Sequence, residues 1–204
     1  MLDLKIIPRI GVVLGCCTLM SGCFIKEVVK SELSSYDEPK QDGVAYLRVV
    51  GSRNVKVYPD STCVSSGVPG SGYPAGPQMG GQRRRDLGMP KTTDVPKHFV
   101  EMAVRPGQPI TAGFSFYFES QRPAAGRPGS VERGSASCYQ ARSFVPEANQ
   151  NYEMRAHWTS QGCGVEVSQV LANADGSVTR RPIISEPASS CPIDHRAKLS
   201  TVIL

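Results

Sequence analysis

The sequence predicts an all-β domain built as a two-sheet β-sandwich with long Gly/Pro-rich loops. Three observations predict it. Apolar residues recur at period two in short runs, with turn residues between them. No segment keeps a helical period over three turns. Gly (20) and Pro (16) are too frequent for a helical bundle.

The runs begin with Val44–Val50, which alternates, and Val55–Tyr58, stopped by Pro59-Asp60. With Gly51-Ser52-Arg53-Asn54 as the turn, these two runs read as a hairpin. His98–Val104 places Val100, Met102 and Val104 on one face and Phe99, Glu101 and Ala103 on the other. Pro106-Gly107-Gln108-Pro109 turns the chain into Ile110–Phe118, where Phe114, Phe116 and Phe118 share a face and read as core. Tyr139–Phe144 is a weaker run, and Tyr152–Trp158 alternates with Glu153 and Arg155. Val165–Val170 leads through the turn Ala174-Asp175-Gly176 into Val178–Ile184. These eight runs suit a sandwich of immunoglobulin-like or transthyretin-like kind, with a partly open barrel as the rival.

Two segments read as surface loops. Gly67–Pro90 holds seven Gly and four Pro, with Arg83-Arg84-Arg85 near its end. Ser120–Ser137 is similar in composition. Segments of this length inside a compact domain tend to be functional or disordered. The arginine run offers a contact to phosphate or acidic groups, so Arg83, Arg84 and Arg85 are the candidate partner-binding residues.

The N-terminus carries an address. Lys5 and Arg9 precede an apolar run from Ile10 to Met20, the length of a signal-peptide core and too short to span a bilayer. The run ends in Leu19-Met20-Ser21-Gly22-Cys23. This resembles the lipobox of bacterial lipoproteins, with Met20 standing where Leu is usual. The resemblance implies cleavage before Cys23, a diacylglycerol on its thiol and a further acyl chain on its freed amine. Each buried methylene contributes about 0.8 kcal/mol, and two chains already anchor stably. Phe24, rather than Asp, follows the anchor; by resemblance to known lipoprotein sorting this implies the outer membrane, facing the periplasm, with inner membrane or cell surface still open.

Three parts follow: a signal peptide over 1–22, a lipidated Cys23 with a flexible tether over 23–42, and the β-sandwich over 43–204. As flexible chain, residues 24–42 span about 25 Å, and about 65 Å fully extended. The formal net charge is +5; loss of Lys5, Arg9 and Asp3 with the signal peptide leaves +4, too mild to dictate a partner.

Beyond Cys23 and the discarded Cys16 and Cys17, four cysteines remain: Cys63, Cys138, Cys163 and Cys191. In an exported chain an even number at wide spacing implies two disulfides rather than a metal site. Loop entropy does not separate the possible pairings. Local geometry favours Cys63–Cys138 with Cys163–Cys191, because Cys163 opens a strand whose hairpin partner ends near Pro187.

No catalytic set emerges. His98, His157 and His195 lack metal-ligand spacing, and there is no nucleophile elbow, phosphate loop or dinucleotide fingerprint. Glu101 with Glu119, or Glu153 with Glu166, could be paired as glycosidase carboxylates, but charged residues alternating along strands ordinarily face solvent. No cofactor, metal or nucleic acid is implied. The chain reads as a non-enzymatic, membrane-anchored envelope lipoprotein whose β-domain binds another protein of an envelope or secretion assembly. The alternatives are a periplasmic immunity protein against a delivered toxin and a cell-wall or glycan-active protein.

Overall fold

The structure, a computed structural model, describes residues 33–52, 54–74, 76, 84–123, 131–159 and 162–192. Nine strands, and no helix, are found among them: β1 (Ala45–Val50), β2 (Val55–Pro59), β3 (Phe99–Val104), β4 (Ile110–Pro123), β5 (Val131–Phe144), β6 (Asn151–Thr159), β7 (Gly162–Ala172), β8 (Val178–Pro182) and β9 (Glu186–Pro187). They form two sheets, ordered β3-β1-β6-β7-β8 and β2-β4-β5-β9. The inner faces pack as a β-sandwich core of Leu47, Met102, Met154 and Val167 against Val57 and Phe114, all buried. Full burial of such a side chain stabilises by about 1.5–3 kcal/mol.

β1 and β2 are not a hairpin. β1 lies between β3 (antiparallel) and β6 (parallel), whereas β2 pairs with β4 in the other sheet. Gly51 makes the crossing. Its φ is +89°, and a Cβ there would overlap the carbonyl oxygen of Ala156 on β6. A two-stranded turn and a sheet-to-sheet crossing use the same short polar connection, so the local sequence does not tell them apart.

The Gly/Ser/Arg-rich stretch 120–137 is largely a ribbon rather than a loop. β4 and β5 stay paired out to Pro123↔Val131. Small and polar residues suffice there, because β5 from Val131 to Ser137 is exposed wherever its side chains are described and has no core to fill. The turn Asn173–Ser177 forms as expected, with Asn173 N–H donating to Ser177 O at 2.9 Å.

The described part of the expected tether, residues 33–42, does not hang free. Tyr36 is buried in the core cluster, and its hydroxyl donates to Ala103 O at 3.1 Å. Tyr36 N–H donates to Tyr73 O, and Asp37 N–H to Gly70 O. The buried ring, together with these hydrogen bonds, offsets part of the cost of ordering this stretch. With Ser34–Glu38 docked, the chain between Cys23 and Ser34 reaches at most about 36 Å.

Candidate functional site

The charged residues of β1, β3 and β6 are the first surprise. Arg48, Glu101 and Glu153 occupy one row across three neighbouring strands on the outer face of the larger sheet. Their relative exposures are 0, 0 and 1%. Of the four carboxylates expected to face solvent, Glu101 and Glu153 are therefore buried, whereas Glu119 and Glu166 are exposed. A segment from Arg84 to Asp94 lies over this face and covers them. Arg48 donates from Nε and Nη2 to Glu101 Oε1 (2.9 and 2.8 Å), and from Nη1 to Glu153 Oε2 (3.1 Å). Its Nη2 also reaches the carbonyls of Met89 (3.1 Å) and Pro90 (2.8 Å). Glu101 Oε2 accepts from the backbone N–H groups of Leu87 and Met89.

The network runs outward to the sheet's far strands. Glu153 Oε1 accepts from Arg155 and from Arg180 at 2.9 Å, and Arg180 and Arg155 both pair with Asp94. Three arginines thus balance three carboxylates, which is what allows charge to lie under cover without an unpaired ion. Hydrogen bonding from Arg180, then Thr92, holds the Asp94 carboxyl well below the usual carboxylate range. Lys91 and the Gly88 N–H lower Asp86 to about 2. The arrangement is structural: each carboxylate oxygen of Glu101 and Glu153 is occupied, leaving neither placed to attack or protonate a substrate.

The arginine run divides. Arg83 lies outside the described residues. Arg84 is exposed, paired with Asp86 at 3.0 Å, and stacked over Phe99 at 5.1 Å from the ring centroid. Lys91 approaches the same ring at 5.4 Å. Arg85 is built into the fold. Its backbone bridges β3, with Arg85 N–H donating to Phe99 O and Glu101 N–H to Arg85 O. Its guanidinium forms a two-pronged pair with Glu38, whose Oε2 also accepts from Ala103 N–H at 3.1 Å. Arg85, Glu38 and Tyr36 together close the outer edge of β3, an edge that would otherwise invite pairing with another chain. The expectation of a free loop over 67–90 therefore fails for residues 84–90, because β3 offers unpaired backbone groups and buried carboxylates for them to satisfy.

The four cysteines form two disulfides, but nested: Cys63–Cys191 and Cys138–Cys163, with Cα–Cα distances of 4.9 and 6.2 Å. The sequential pairing is overturned by the path after β8. The chain crosses to the other sheet, where β9 pairs with β5, and carries Cys191 to the loop at Cys63. Cys163 points into the sandwich and meets Cys138 across it. Cys23 lies outside the described residues.

An aromatic end surrounds that inter-sheet bridge. Phe116 is in register with Cys138, and Trp158 with Cys163. The two rings approach at 6.4 Å between centroids. Trp158 is 44% and Tyr117 69% exposed. With Gly51, Ser52 and Ser115 they line an open cavity of about 360 Å³. From here the ribbon of β4 and β5 continues past β2, whose register with β4 ends at Val55↔Phe114. The core reading of the Phe114, Phe116 and Phe118 face holds for Phe114, which is fully buried, and only in part for Phe116; the Phe118 side chain lies outside what the structure describes. Trp158 and Tyr117 escaped the sequence reading. Their signal is weak: a Trp at the end of an alternating run, and a Tyr on the face of Ile110–Phe118 opposite the phenylalanines. No family model, curated protein or solved structure matches the chain.

Proposed function

We propose that this chain is a lipid-anchored envelope protein whose β-sandwich binds another protein of an envelope or secretion assembly, without catalysis of its own. The observation that carries this reading is the aromatic end: Tyr117 and Trp158 stand exposed beside a shallow cavity at the root of a projecting β-ribbon. Tyr and Trp are the residues that anchor protein interfaces, since they bring large area at little entropic cost. The inter-sheet disulfide makes the base of this surface rigid.

The contact is placed here rather than at Arg84 and Arg85, because those two already have partners in Asp86 and Glu38. Anchoring rests on the lipobox-like Leu19–Cys23, and the docked Ser34–Glu38 keeps the domain near the outer-membrane surface. Of the two sandwich kinds, the transthyretin-like one is favoured: β1 lies inside its sheet, between β3 and β6, whereas an immunoglobulin-like sandwich holds its first strand at an edge.

The test places a photo-crosslinking residue at Tyr117 in the full-length protein in its own envelope, with Lys40 as control position. One discrete adduct at Tyr117, lost on Trp158→Ala while the melting temperature holds, is expected. Equal or no adducts at both positions would overturn the reading. Cys23→Ser should leave an unprocessed, unacylated precursor; normal acyl labelling of that variant would remove the anchor.

A further inference from the structure

The outer face of the smaller sheet carries a second cleft. Segments stapled by Cys63–Cys191 wall it. Val64 N–H donates to Ser189 O, Cys191 N–H to Val64 O, and Ala188 N–H to Ala141 O on β5. Thr111 and Ser143 on this outer face are buried beneath the wall. What remains open is a cavity of about 500 Å³, floored by β2, β4 and β5. That is within the range of small-molecule sites.

Its floor is flat and aromatic. Gly113 on β4 leaves room for the Tyr139 ring of β5 to lie across it; a Cβ at Gly113 would overlap the Tyr139 hydroxyl. Tyr139 and Tyr58 share a hydrogen bond, and burial pushes the Tyr139 phenol up, so it stays protonated, able both to donate and to accept. On the far side Lys56 Nζ lies 5.9 Å from the centroid of the Tyr73 ring. Ser66 and Ser190 add hydroxyls from the walls. Among the described lining residues, Lys56 is the one charged side chain and there is no carboxylate.

We propose that this cleft binds a saccharide that carries a carboxylate. Tyrosine rings offer flat amphipathic faces for the C–H face of a sugar ring. Hydroxyls that donate and accept match the vicinal hydroxyls of a sugar, which do the same. Lys56 supplies a charge-assisted contact to the carboxylate. An extended peptide would seek a sheet edge for its backbone, and this cleft opens on a sheet face. The site adjoins the cavity at Trp158, with which it shares Asn54 and Ser115, but its Lys56, Tyr73 and Tyr139 take no part in that cavity.

The carboxylated sugar could come from cell-wall glycan, as N-acetylmuramic acid, or from an acidic polysaccharide, as a uronic acid. Calorimetric titration of the full mature chain uses a N-acetylglucosamine–N-acetylmuramic acid disaccharide, a galacturonic acid disaccharide, chitobiose and acetate. One or both acidic disaccharides should bind, and which one binds identifies the source. Chitobiose should bind roughly tenfold more weakly, the worth of a charge-assisted hydrogen bond, and acetate not measurably. Lys56→Met should weaken the acidic sugar to the level of chitobiose, while Lys56→Arg retains most of the affinity. Tyr73→Leu should weaken all the sugars. Absence of binding by either acidic disaccharide overturns the proposal, as does affinity unchanged by Lys56→Met in a variant that melts like the parent. Should Lys56→Met fail to fold, Lys56→Gln, which removes the charge and keeps a polar tip, carries the same decision.

Discussion

Arg48 and Glu101 face each other across β1 and β3 with both side chains wholly excluded from solvent, Nη2 to Oε1 at 2.8 Å. They share this buried position with Glu153, under a cover made by residues 84–94. The row ties three strands of one sheet to the segment that shields them, so the cover and the sheet stabilise each other.

Breaking this row should be costly. Arg48→Met leaves two buried carboxylates without their shared cation, and removal of one partner of a buried pair typically costs about 3–5 kcal/mol. Urea unfolding of Arg48→Met should show the midpoint falling by that equivalent. Adding Glu101→Gln and Glu153→Gln should restore part of the loss, since neutral amides no longer need the guanidinium. A single Arg48→Met variant as stable as the parent would remove the ion row from the account of this fold.

The nested disulfides make a mapping prediction. Non-reduced peptides should join Cys63 to Cys191 and Cys138 to Cys163. Sequence separations of 128 and 25 correspond to about 5 and about 3.5 kcal/mol in the chain-entropy model. Replacing Cys63 and Cys191 by Ser should therefore lower the melting temperature at least as much as replacing Cys138 and Cys163. Recovery of a Cys63–Cys138 peptide would mean that the crossing after β8 is wrong.

Acid should loosen the cover before neutral pH does anything. Asp86 and Asp94 have folded pKa values depressed below the ordinary aspartate range, chiefly by hydrogen bonds from Lys91 and Arg180 respectively. A depressed carboxylate stabilises the fold above its unfolded pKa and loses that contribution as pH falls through the folded one. Stability should be flat from about pH 7 to 5 and decline from about pH 4 toward pH 2. Both groups are solvent-exposed, so added salt should shrink the decline. Thermal melts of the parent and of Asp94→Asn test this: the variant should start lower at pH 7 and lose less on acidification. Identical acid profiles would show that Asp94 is not linked to folding.

The sequence by itself determined that the domain is β-structured, where most strands run, and that four cysteines are available for two bridges. Period-two alternation is a local property: it states which residues share a face, whatever the partner strand. That is why Ile110–Phe118, Tyr152–Trp158 and the Asn173–Ser177 turn are legible without a structure. A hint of the buried ion row is also present. Tyr46 and Val50 flank Arg48, and Phe99 and Ala103 flank Glu101, on a face read as solvated; apolar neighbours on both strands mark a covered face.

Only the tertiary structure decided which strands pair, what covers each face and which cysteines meet. Gly51 sends β2 to the other sheet, and β9 takes Cys191 away from β7. Tyr36 docks because Ala103 and Tyr73 present backbone groups at the right place. Arg85 leaves the basic run for Glu38 because the edge of β3 needs closing. Each of these choices is settled by groups far apart in the chain, through long-range hydrogen bonds and charge pairing under cover, and a one-dimensional pattern carries no record of distance in space.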